Sequence, residues 1–448
     1  MFKERIISKS YLFVTGIFIV FFACNSTGVK ETTGKQPNII FIISDDQGWT
    51  DYGFMGHDHI RTPNIDRLAN SGVTFTRGYV PASLCSPSLA TIITGLYPHQ
   101  HGVLGNDPVF PDRSDYGYGN EFNVKRSEYY KEIIDKFVEL NTLPDLLKEK
   151  GYISFQTGKW WIGNYKNGGF DYGMTHGDPT RGGRHGDEGL KIGREGMETI
   201  FHFIDSAVKE EKPFFLWYAP FMPHQPHNPP DSLLQKYLPH APSEYVAAYW
   251  AMCEWFDITC GWLMDYVDNK GLNENTLFVF VCDNGWVQQA DKPGFHPRSK
   301  RSPYDYGIRT PIMFKWTGTI DPEMDTTSFV SSTDLVPSVL RLAGLEPAVN
   351  MYGIDLLDRE KRIERDIIFS EVYAHDFSTV DSSIYYRIAL TNPYKLIVPD
   401  DANKPEENVM LFNVMEDPFE LNDLAKQQPE VVDRLRKRVD AFWQNNPI

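Results

Sequence analysis

Three runs of apolar residues, rich in β-branched and aromatic side chains, lie far apart in the chain, and each gives way to polar residues. They occupy residues 38–43, 212–219 and 276–282. Continuous apolar runs of this length are typical of strands that are buried on both faces of a parallel sheet. Ligands of such sheets bind beyond the carboxyl ends of the strands. One rim is therefore predicted to carry the polar residues that follow these runs: Asp45, Asp46, His224, Asp283 and Asn284.

Apolar positions at helical spacing lie between and after these strands. We predict helices over about 65–71, 245–269 and 330–343. The alternation of strands and helices predicts an open α/β sheet. From about residue 365, short strand-like segments at 367–371, 385–391 and 394–399 precede a charged helix that begins near Pro429. This pattern predicts a small layer appended to the main sheet.

The N-terminal segment has the pattern of an export signal. Lys3, Arg5 and Lys9 precede an apolar run over 11–23, which is shorter than the roughly 20 residues that a membrane-spanning helix needs. Cys24 follows a small residue and is the predicted point of lipid attachment, with ordinary signal cleavage nearby as the alternative. We therefore expect a signal peptide over 1–24, a flexible polar tether over 25–36, and an exported protein in the periplasm or at the cell surface.

Composition adds two constraints. The 448 residues are 41% hydrophobic, enough to bury a large core, and the net charge of -16 argues against nucleic-acid binding. An anionic substrate then needs a local basic pocket. The segment 292–301 is a candidate, with a solvated charge run as the alternative; its basic side chains are Lys292, His296, Arg298, Lys300 and Arg301.

Cysteine and acidic residues supply candidate chemistry. Cys253, Cys260 and Cys282 are interpreted as small core residues, although an exported protein could pair them as disulfides. The pairs 45–46 and 283–284 offer hard oxygen ligands, which suit Ca²⁺ or Mg²⁺. Either pair alone is more often a cap or a turn.

The segment around Cys85 carries the most specific pattern. Residues 83–98 read SLCSPSLATIITGLYP, and this segment resembles the activation segment of the type I sulfatases, in which a Cys followed two places later by Pro is oxidised to formylglycine. Other pieces in the same order resemble that family: residues 37–46, 62–68, 158–160, 223–224, 283–285, 304–311 and 411–420.

The resemblance implies a fold, an activity and a site. It implies an alkaline-phosphatase-like α/β fold with a large mixed sheet flanked by helices, a catalytic domain over 37–350, and a C-terminal β-rich subdomain with a terminal helix over 351–448. It implies one Ca²⁺, with Mg²⁺ as the alternative, and sulfate-facing residues Lys159, His224 and Lys300. The implied metal ligands are Asp45, Asp46, the oxidised Cys85, Asp283 and Asn284.

The implied chemistry is the hydrolysis of sulfate esters on a sulfated polysaccharide or its fragments. A hydrated aldehyde at position 85 offers two hydroxyls, one to attack sulfur and one to expel sulfate. The metal lowers the pKa of the attacking hydroxyl, and Asp283 is the expected proton acceptor. His224 or Lys300 would protonate the departing sugar oxygen. A formylglycine-generating enzyme is the expected maturation partner, and the membrane is reached only through the candidate lipid anchor at Cys24.

Two positions depart from the family pattern. Leu89 stands where the family has Arg, and Trp161 stands where it has His. We expect Arg184 and His185, in a Gly-rich polar stretch, to supply the missing charge and base, with a solvated surface loop as the alternative. Two other functions stay open: a glycan-binding homologue without catalysis, and a phosphodiesterase or phosphonate hydrolase on the same scaffold, which a second metal site would favour.

Overall fold

The structure is a computed structural model that describes residues 36–117, 119–181 and 183–445. The predicted signal peptide, Cys24 and nearly all of the tether lie outside the described residues. The described part contains fifteen strands and thirteen α-helices. The strands are β1 (Asn38–Ser44), β2 (Val73–Tyr79), β3 (Asp107–Pro108), β4 (Ile153–Gly158), β5 (Tyr172–Gly173), β6 (Phe214–Ala219), β7 (Thr276–Cys282), β8 (Arg309–Lys315), β9 (Glu323–Asp325), β10 (Val330–Ser331), β11 (Ile368–Tyr373), β12 (Asp376–Phe377), β13 (Ile384–Thr391), β14 (Tyr394–Pro399) and β15 (Met410–Asn413). The helices are α1 (Pro63–Asn70), α2 (Cys85–Thr94), α3 (Pro98–His101), α4 (Asn120–Phe137), α5 (Leu143–Leu147), α6 (Glu198–Lys209), α7 (Asp231–Tyr237), α8 (Glu244–Asn269), α9 (Asp305–Ile308), α10 (Leu335–Leu342), α11 (Arg359–Glu364), α12 (Val380–Ser383) and α13 (Pro429–Asn445).

A large mixed sheet forms the centre of the molecule. Its strand order is β10-β2-β8-β7-β1-β6-β4-β5, with β9 paired to β2. β1 runs parallel to both β6 and β7, whereas β8 runs antiparallel to β2 and β7. The fold is the predicted alkaline-phosphatase-like α/β architecture.

The central strands β1, β6 and β7 are apolar at their interior positions and buried throughout, because helices cover both faces of the sheet. In β1, Ile39, Phe41 and Ile43 pack into one core cluster, and Ile40 and Ile42 pack into the other. No helix in the described ranges is long and apolar enough to cross a membrane.

The helix predicted over 330–343 begins later than expected. Val330 and Ser331 form β10 on the edge of the sheet, beside Gly78 and Tyr79 of β2. A short 3-10 turn follows, in which Asp334 accepts a hydrogen bond from the Ser331 backbone, and α10 then starts at Leu335. Strand pairing and this local cap therefore override the helical spacing of the first five residues.

A second sheet lies near the C-terminus. Its antiparallel order is β11-β13-β14-β15, and α13 packs on it. Lys395 of β14 is buried and forms ion pairs with Asp305 at 2.9 Å and with Glu420 at 2.7 Å. Strand β12 pairs with β3, so the C-terminal part also contacts a segment near residue 107. The boundary at 350/351 stays a prediction.

Candidate active site

Two adjacent strands bring four acidic or amide side chains to one rim. Ser44, the last residue of β1, is in register with Cys282, the last residue of β7, so the residues that follow lie side by side. The backbone turns at Asp46, whose φ is 64°, and its N–H donates to Asp283 Oδ1 at 3.1 Å. Asn284 Nδ2 donates to Asp46 Oδ1 at 2.6 Å. The turn lets consecutive aspartates, Asp45 and Asp46, both contribute to the rim.

The rim holds four buried oxygens without a hydrogen-bond donor among the described residues. They are Asp45 Oδ2, Asp46 Oδ2, Asp283 Oδ2 and Asn284 Oδ1. Buried polar atoms are normally paired, since an unpaired one costs about 1–3 kcal/mol. Hard oxygen donors of this kind are the ligands that Ca²⁺ and Mg²⁺ prefer. These residues therefore fit a divalent cation, and the donor set does not resemble a zinc site.

Cys85 lies beside this rim, at the first residue of α2. Its Sγ is 3.9 Å from Asp45 Oδ1 and 3.1 Å from Lys300 Nζ. The side chain is fully buried, and burial raises the pKa of the thiol to about 12 even though Lys159 and Lys300 lower it. An unmodified thiol here is protonated at neutral pH and is a poor nucleophile.

Two ammonium groups and an imidazole surround the carboxylates. Lys159 Nζ lies 2.5 Å from Asp45 Oδ1 and 3.7 Å from Asp283 Oδ2. Lys300 Nζ lies 2.5 Å from Asp46 Oδ1. Burial alone would lower the pKa of Lys300, but Asp46 and Cys85 raise that pKa well above its ordinary value, so the group is charged.

His224 completes this set. Its Nδ1 faces the Gln225 carbonyl at 2.5 Å and must donate to it, which leaves Nε2 toward Asp46 Oδ2 at 3.4 Å. Burial, followed by the charge of Lys159, lowers the pKa of His224 well below its ordinary value. The ligand atoms of His224, Asp45, Asp46 and Cys85 all lie within 4.8 Å of one another. The structure thus brings together every residue that the resemblance implies.

The two departures from the family pattern have different surroundings. Leu89 is buried in the main core and presents no charge to the site. Trp161 lines a cavity of about 600 Å³ above the site, which Arg184 and His185 also line. The ring centroid of Trp161 is 4.6 Å from that of His185, and Arg184 lies 5.0 Å from the Trp161 ring. The stretch around 184 is therefore not a solvated surface loop.

Arg184 and His185 contact each other. Arg184 Nη1 and His185 Nε2 are 2.6 Å apart, so the imidazole accepts through Nε2. Burial, followed by the charge of Arg184, lowers the pKa of His185 well below its ordinary value. His185 is thus a neutral ring whose Nε2 lone pair is engaged, and a role as base requires Arg184 Nη1 to release it.

Asp107 and Arg126 form a buried support for Arg184. Arg184 donates to both Asp107 oxygens, at 2.9 and 2.5 Å. Arg126 Nε donates to Asp107 Oδ1 at 2.6 Å, and its Nη2 donates to the Asn106 carbonyl. Burial would raise the pKa of Asp107, but Arg184 and Arg126 lower it to about 2. Arg126 lies on a mostly polar helix, α4, so no periodicity signals its burial.

The predicted basic segment is divided between the site and the surface. Lys300 and Arg301 line the cavity. Arg298 instead donates to the Glu420 carbonyl, and His296 Nδ1 accepts from the Arg298 backbone. Lys292 is exposed. Two of the five basic residues therefore form the local basic patch.

The chain is similar to family models and to known proteins over most of its length. Residues 37–345 match the family model described as Sulfatase, and residues 295–445 match the model described as N-sulphoglucosamine sulphohydrolase, C-terminal. The chain is 26% identical to arylsulfatase A of Homo sapiens, over 90% of this chain and 87% of that protein. It is 24% identical to the ulvan-active sulfatase of Formosa agariphila, over 92% and 81%. The crystal structure of Ps i-CgsB, also solved in complex with k-i-k-neocarrahexaose, matches with a TM-score of 0.73 at 25% identity, covering 92% of this chain and 94% of that chain.

Proposed function

This chain belongs to the type I sulfatase family and is a sulfuric ester hydrolase, and we propose that its substrate is a sulfated polysaccharide or its oligosaccharide fragments. One observation carries the proposal. Cys85 lies together with the four buried oxygens that accept no hydrogen bond and with the side chains of Lys159, His224 and Lys300. These residues form the floor of a cavity that is large enough for a saccharide. The relative named for ulvan and the structure with neocarrahexaose support a glycan substrate.

We propose that Asp45, Asp46, Asp283 and Asn284 hold one Ca²⁺, together with Cys85 after its oxidation to formylglycine. When bound, the cation supplies charge stabilisation and Lewis acidity. Formylglycine supplies the nucleophilic hydroxyl that the protonated thiol lacks. A formylglycine-generating enzyme is the proposed maturation partner, and the periplasm or cell surface is the proposed location.

The chain's own cations would bind the sulfate and move the proton. Lys159 and Lys300 present ammonium groups to the floor and would contact sulfate oxygens. Lys300 Nζ, an ammonium that reaches Asp46, would supply the proton that the departing sugar oxygen requires. His224 Nε2 also reaches Asp46, and it would supply this proton only as the imidazolium, which a bound anionic sulfate favours. Arg184 and His185, above them, are proposed to serve in place of the missing Arg and His.

A second metal centre would have favoured a phosphodiesterase. One more group of possible ligands exists in the described ranges, Asp107 with His375 and Asp376. Both oxygens of Asp107 already accept hydrogen bonds from arginines. A cation there would have to displace two guanidinium groups, so the sulfatase proposal is favoured.

The test is the mass of the Cys85 peptide from protein produced together with a formylglycine-generating enzyme, followed by sulfate-release assays on sulfated glycans. We expect the mass of an aldehyde at position 85, loss of its alkylation, and release of sulfate. Cys253, Cys260 and Cys282 are buried free thiols in the same chain and provide the internal alkylation control after denaturation. A Cys85→Ala variant, which has no thiol or hydroxyl to oxidise to the aldehyde, should release no sulfate.

An alkylatable Cys85 in both the native and the co-produced protein, without sulfate release, would contradict the proposal. The glycan-binding alternative would then account for the site.

A further inference from the structure

Arg301 has a backbone conformation that is unusual for its residue type. Its φ is 67°, in the left-handed region that disfavours residues with a Cβ atom. The Arg301 N–H donates to the Ser83 carbonyl at 3.0 Å, which ties this turn to the segment before Cys85. Strained residues of this kind persist where the surrounding structure requires them, often at binding sites. Here the turn allows consecutive residues, Lys300 and Arg301, to line one cavity.

The two side chains meet different surroundings. Lys300 reaches the floor, where its ammonium contacts Asp46 and Cys85. The Arg301 guanidinium is exposed and lies 5.7 Å from the centre of the Phe295 ring. It forms no hydrogen bond or ion pair with any residue that the structure describes. Its charge is therefore available to a ligand in the cavity.

The carboxylate beside the cavity wall near Arg301 is already bound by other side chains. His375 and Arg184 line the same cavity. The carboxylate between them, Asp107, is 4.0 Å from His375 but is bound by Arg184 and Arg126. A cationic wall in a chain of net charge -16 is a local exception, and it lies above the floor where the scissile sulfate is proposed to bind.

We propose that Arg301 binds a second anionic group of the substrate, a carboxylate or another sulfate, with Arg184 on the same wall. This inference rests on the proposed function and narrows its substrate class to saccharides that carry at least two anionic groups. A guanidinium suits both ligands, because its N–H groups pair with two oxygens of a carboxylate or sulfate.

The test uses three matched disaccharides. The first carries only the scissile sulfate ester, the second adds a uronate carboxylate, and the third adds a second sulfate. The variant Arg301→Gly removes the side chain and suits the left-handed backbone. Arg301→Lys keeps the charge without the paired donors. Lys292→Ala is the control, since Lys292 lies in the same loop, is exposed and does not line the cavity.

We expect Arg301→Gly to lower kcat/KM about 10- to 100-fold for at least one doubly anionic disaccharide, the range expected for a charged hydrogen bond. The loss of kcat/KM on the singly charged disaccharide should be much smaller, because it lacks the anionic group that Arg301 binds. Arg301→Lys should give an intermediate loss, and Lys292→Ala should match the parent. Which of the two doubly charged ligands responds identifies the anionic group. Equal losses on all three disaccharides, or no loss on any, would overturn the proposal.

A binding measurement separates this proposal from the proposed function. Calorimetric titration of the same disaccharides into Cys85→Ala, with and without Arg301→Gly, requires no turnover. If Arg301→Gly weakens the binding of doubly anionic disaccharides only, and the parent enzyme releases sulfate from none of the three, the Arg301 site is supported and the sulfatase proposal is contradicted. If the parent enzyme releases sulfate but Arg301→Gly weakens the binding of singly and doubly anionic disaccharides equally, the Arg301 site is contradicted and the sulfatase proposal is supported.

Discussion

The floor and the wall of the cavity both contain buried carboxylates, but the carboxylates of the two regions have different hydrogen-bond partners. On the floor, Asp45, Asp46 and Asp283 each keep a buried oxygen without a hydrogen-bond donor in the described structure. On the wall, Asp107 has both oxygens bonded to Arg126 and Arg184. The same chemical group is thus a candidate metal ligand in one place and a structural ion-pair partner in the other.

The pKa values follow this difference. Burial raises the pKa of Asp45 well above its usual range, even against the charge of Lys159. Around Asp107, the two arginines overcome burial and lower the pKa to about 2. The negative charge of the floor carboxylates is not fully compensated by neighbouring cations, whereas the charge of Asp107 on the wall is compensated by two arginines. A buried acid therefore has to be interpreted from its partners and not from its burial alone.

The largest effect is expected from a substitution in the floor. We expect Asp283→Asn to lower Ca²⁺ affinity and to reduce sulfate release by about 10³-fold, because several kcal/mol of charge stabilisation depend on the cation. Calorimetric Ca²⁺ titration and sulfate-release kinetics would measure both effects.

Asp51→Asn is the matched control for the floor variant. Asp51 is also buried and near the rim, but its carboxylate accepts hydrogen bonds from Tyr249 at 2.6 Å and from the Gly48 backbone at 3.0 Å. It should keep Ca²⁺ affinity and most activity. Equal Ca²⁺ affinity in Asp283→Asn and the parent would mean that the floor is not the metal site.

A smaller effect is expected from the wall. Asp107→Asn leaves the buried guanidinium of Arg126 and the partly buried one of Arg184 without their carboxylate. We expect a loss of about 3–5 kcal/mol in the free energy of unfolding. Sulfate release should fall by about 10- to 100-fold, since Arg184 loses its support, while Ca²⁺ affinity stays unchanged. Denaturant unfolding, calorimetry and kinetics would measure the three quantities.

Asp305→Asn controls for the loss of stability. Asp305 is equally buried and pairs with Lys395 at 2.9 Å and with Arg309 at 3.6 Å, but it does not line the cavity. It should lose comparable stability and keep activity. If both variants lose activity in proportion to stability, Asp107 has no special relation to the site.

The smallest effect is a pH dependence that distinguishes the wall from the floor. The folded-state pKa of Asp107 lies below its ordinary value of 3.8, at about 2, so its ionisation contributes roughly 2 kcal/mol of stability above pH 4. This contribution is constant from about pH 5 to 8 and is lost as the pH falls through 4 toward 2. The difference in unfolding free energy between parent and Asp107→Asn should therefore be flat at neutral pH and shrink only in acid. A difference that changed between pH 6 and 8 would contradict this assignment.

The sequence predicted the floor better than the wall. The central strands were predicted to within about two residues at each end, because strands covered on both faces are apolar over most of their length. The floor residues follow those strands directly, so the sheet brings them together. The wall joins Arg126 of α4 to Asp107 and Arg184, and only tertiary contacts bury it. The mistaken start of the helix at 330 has a similar origin, since pairing with β2 decided it.

The roles of Arg184 and His185 illustrate the limit of this approach. Sequence reasoning proposed them to replace two missing side chains, and the structure places both in the cavity. It also shows what the pattern could not show, namely that Arg184 bonds His185 Nε2. Their catalytic roles remain a prediction.

The pairing of β12 with β3 has a consequence for how such proteins diversify. It fixes His375 beside the segment around Asp107, so a residue from the last quarter of the chain lines the same cavity as Asp46 and Lys300. Recombination that exchanged this C-terminal segment between relatives would therefore transplant a piece of the cavity lining. The preference of the enzyme among glycans would then change, while the residues that cleave the ester stay the same.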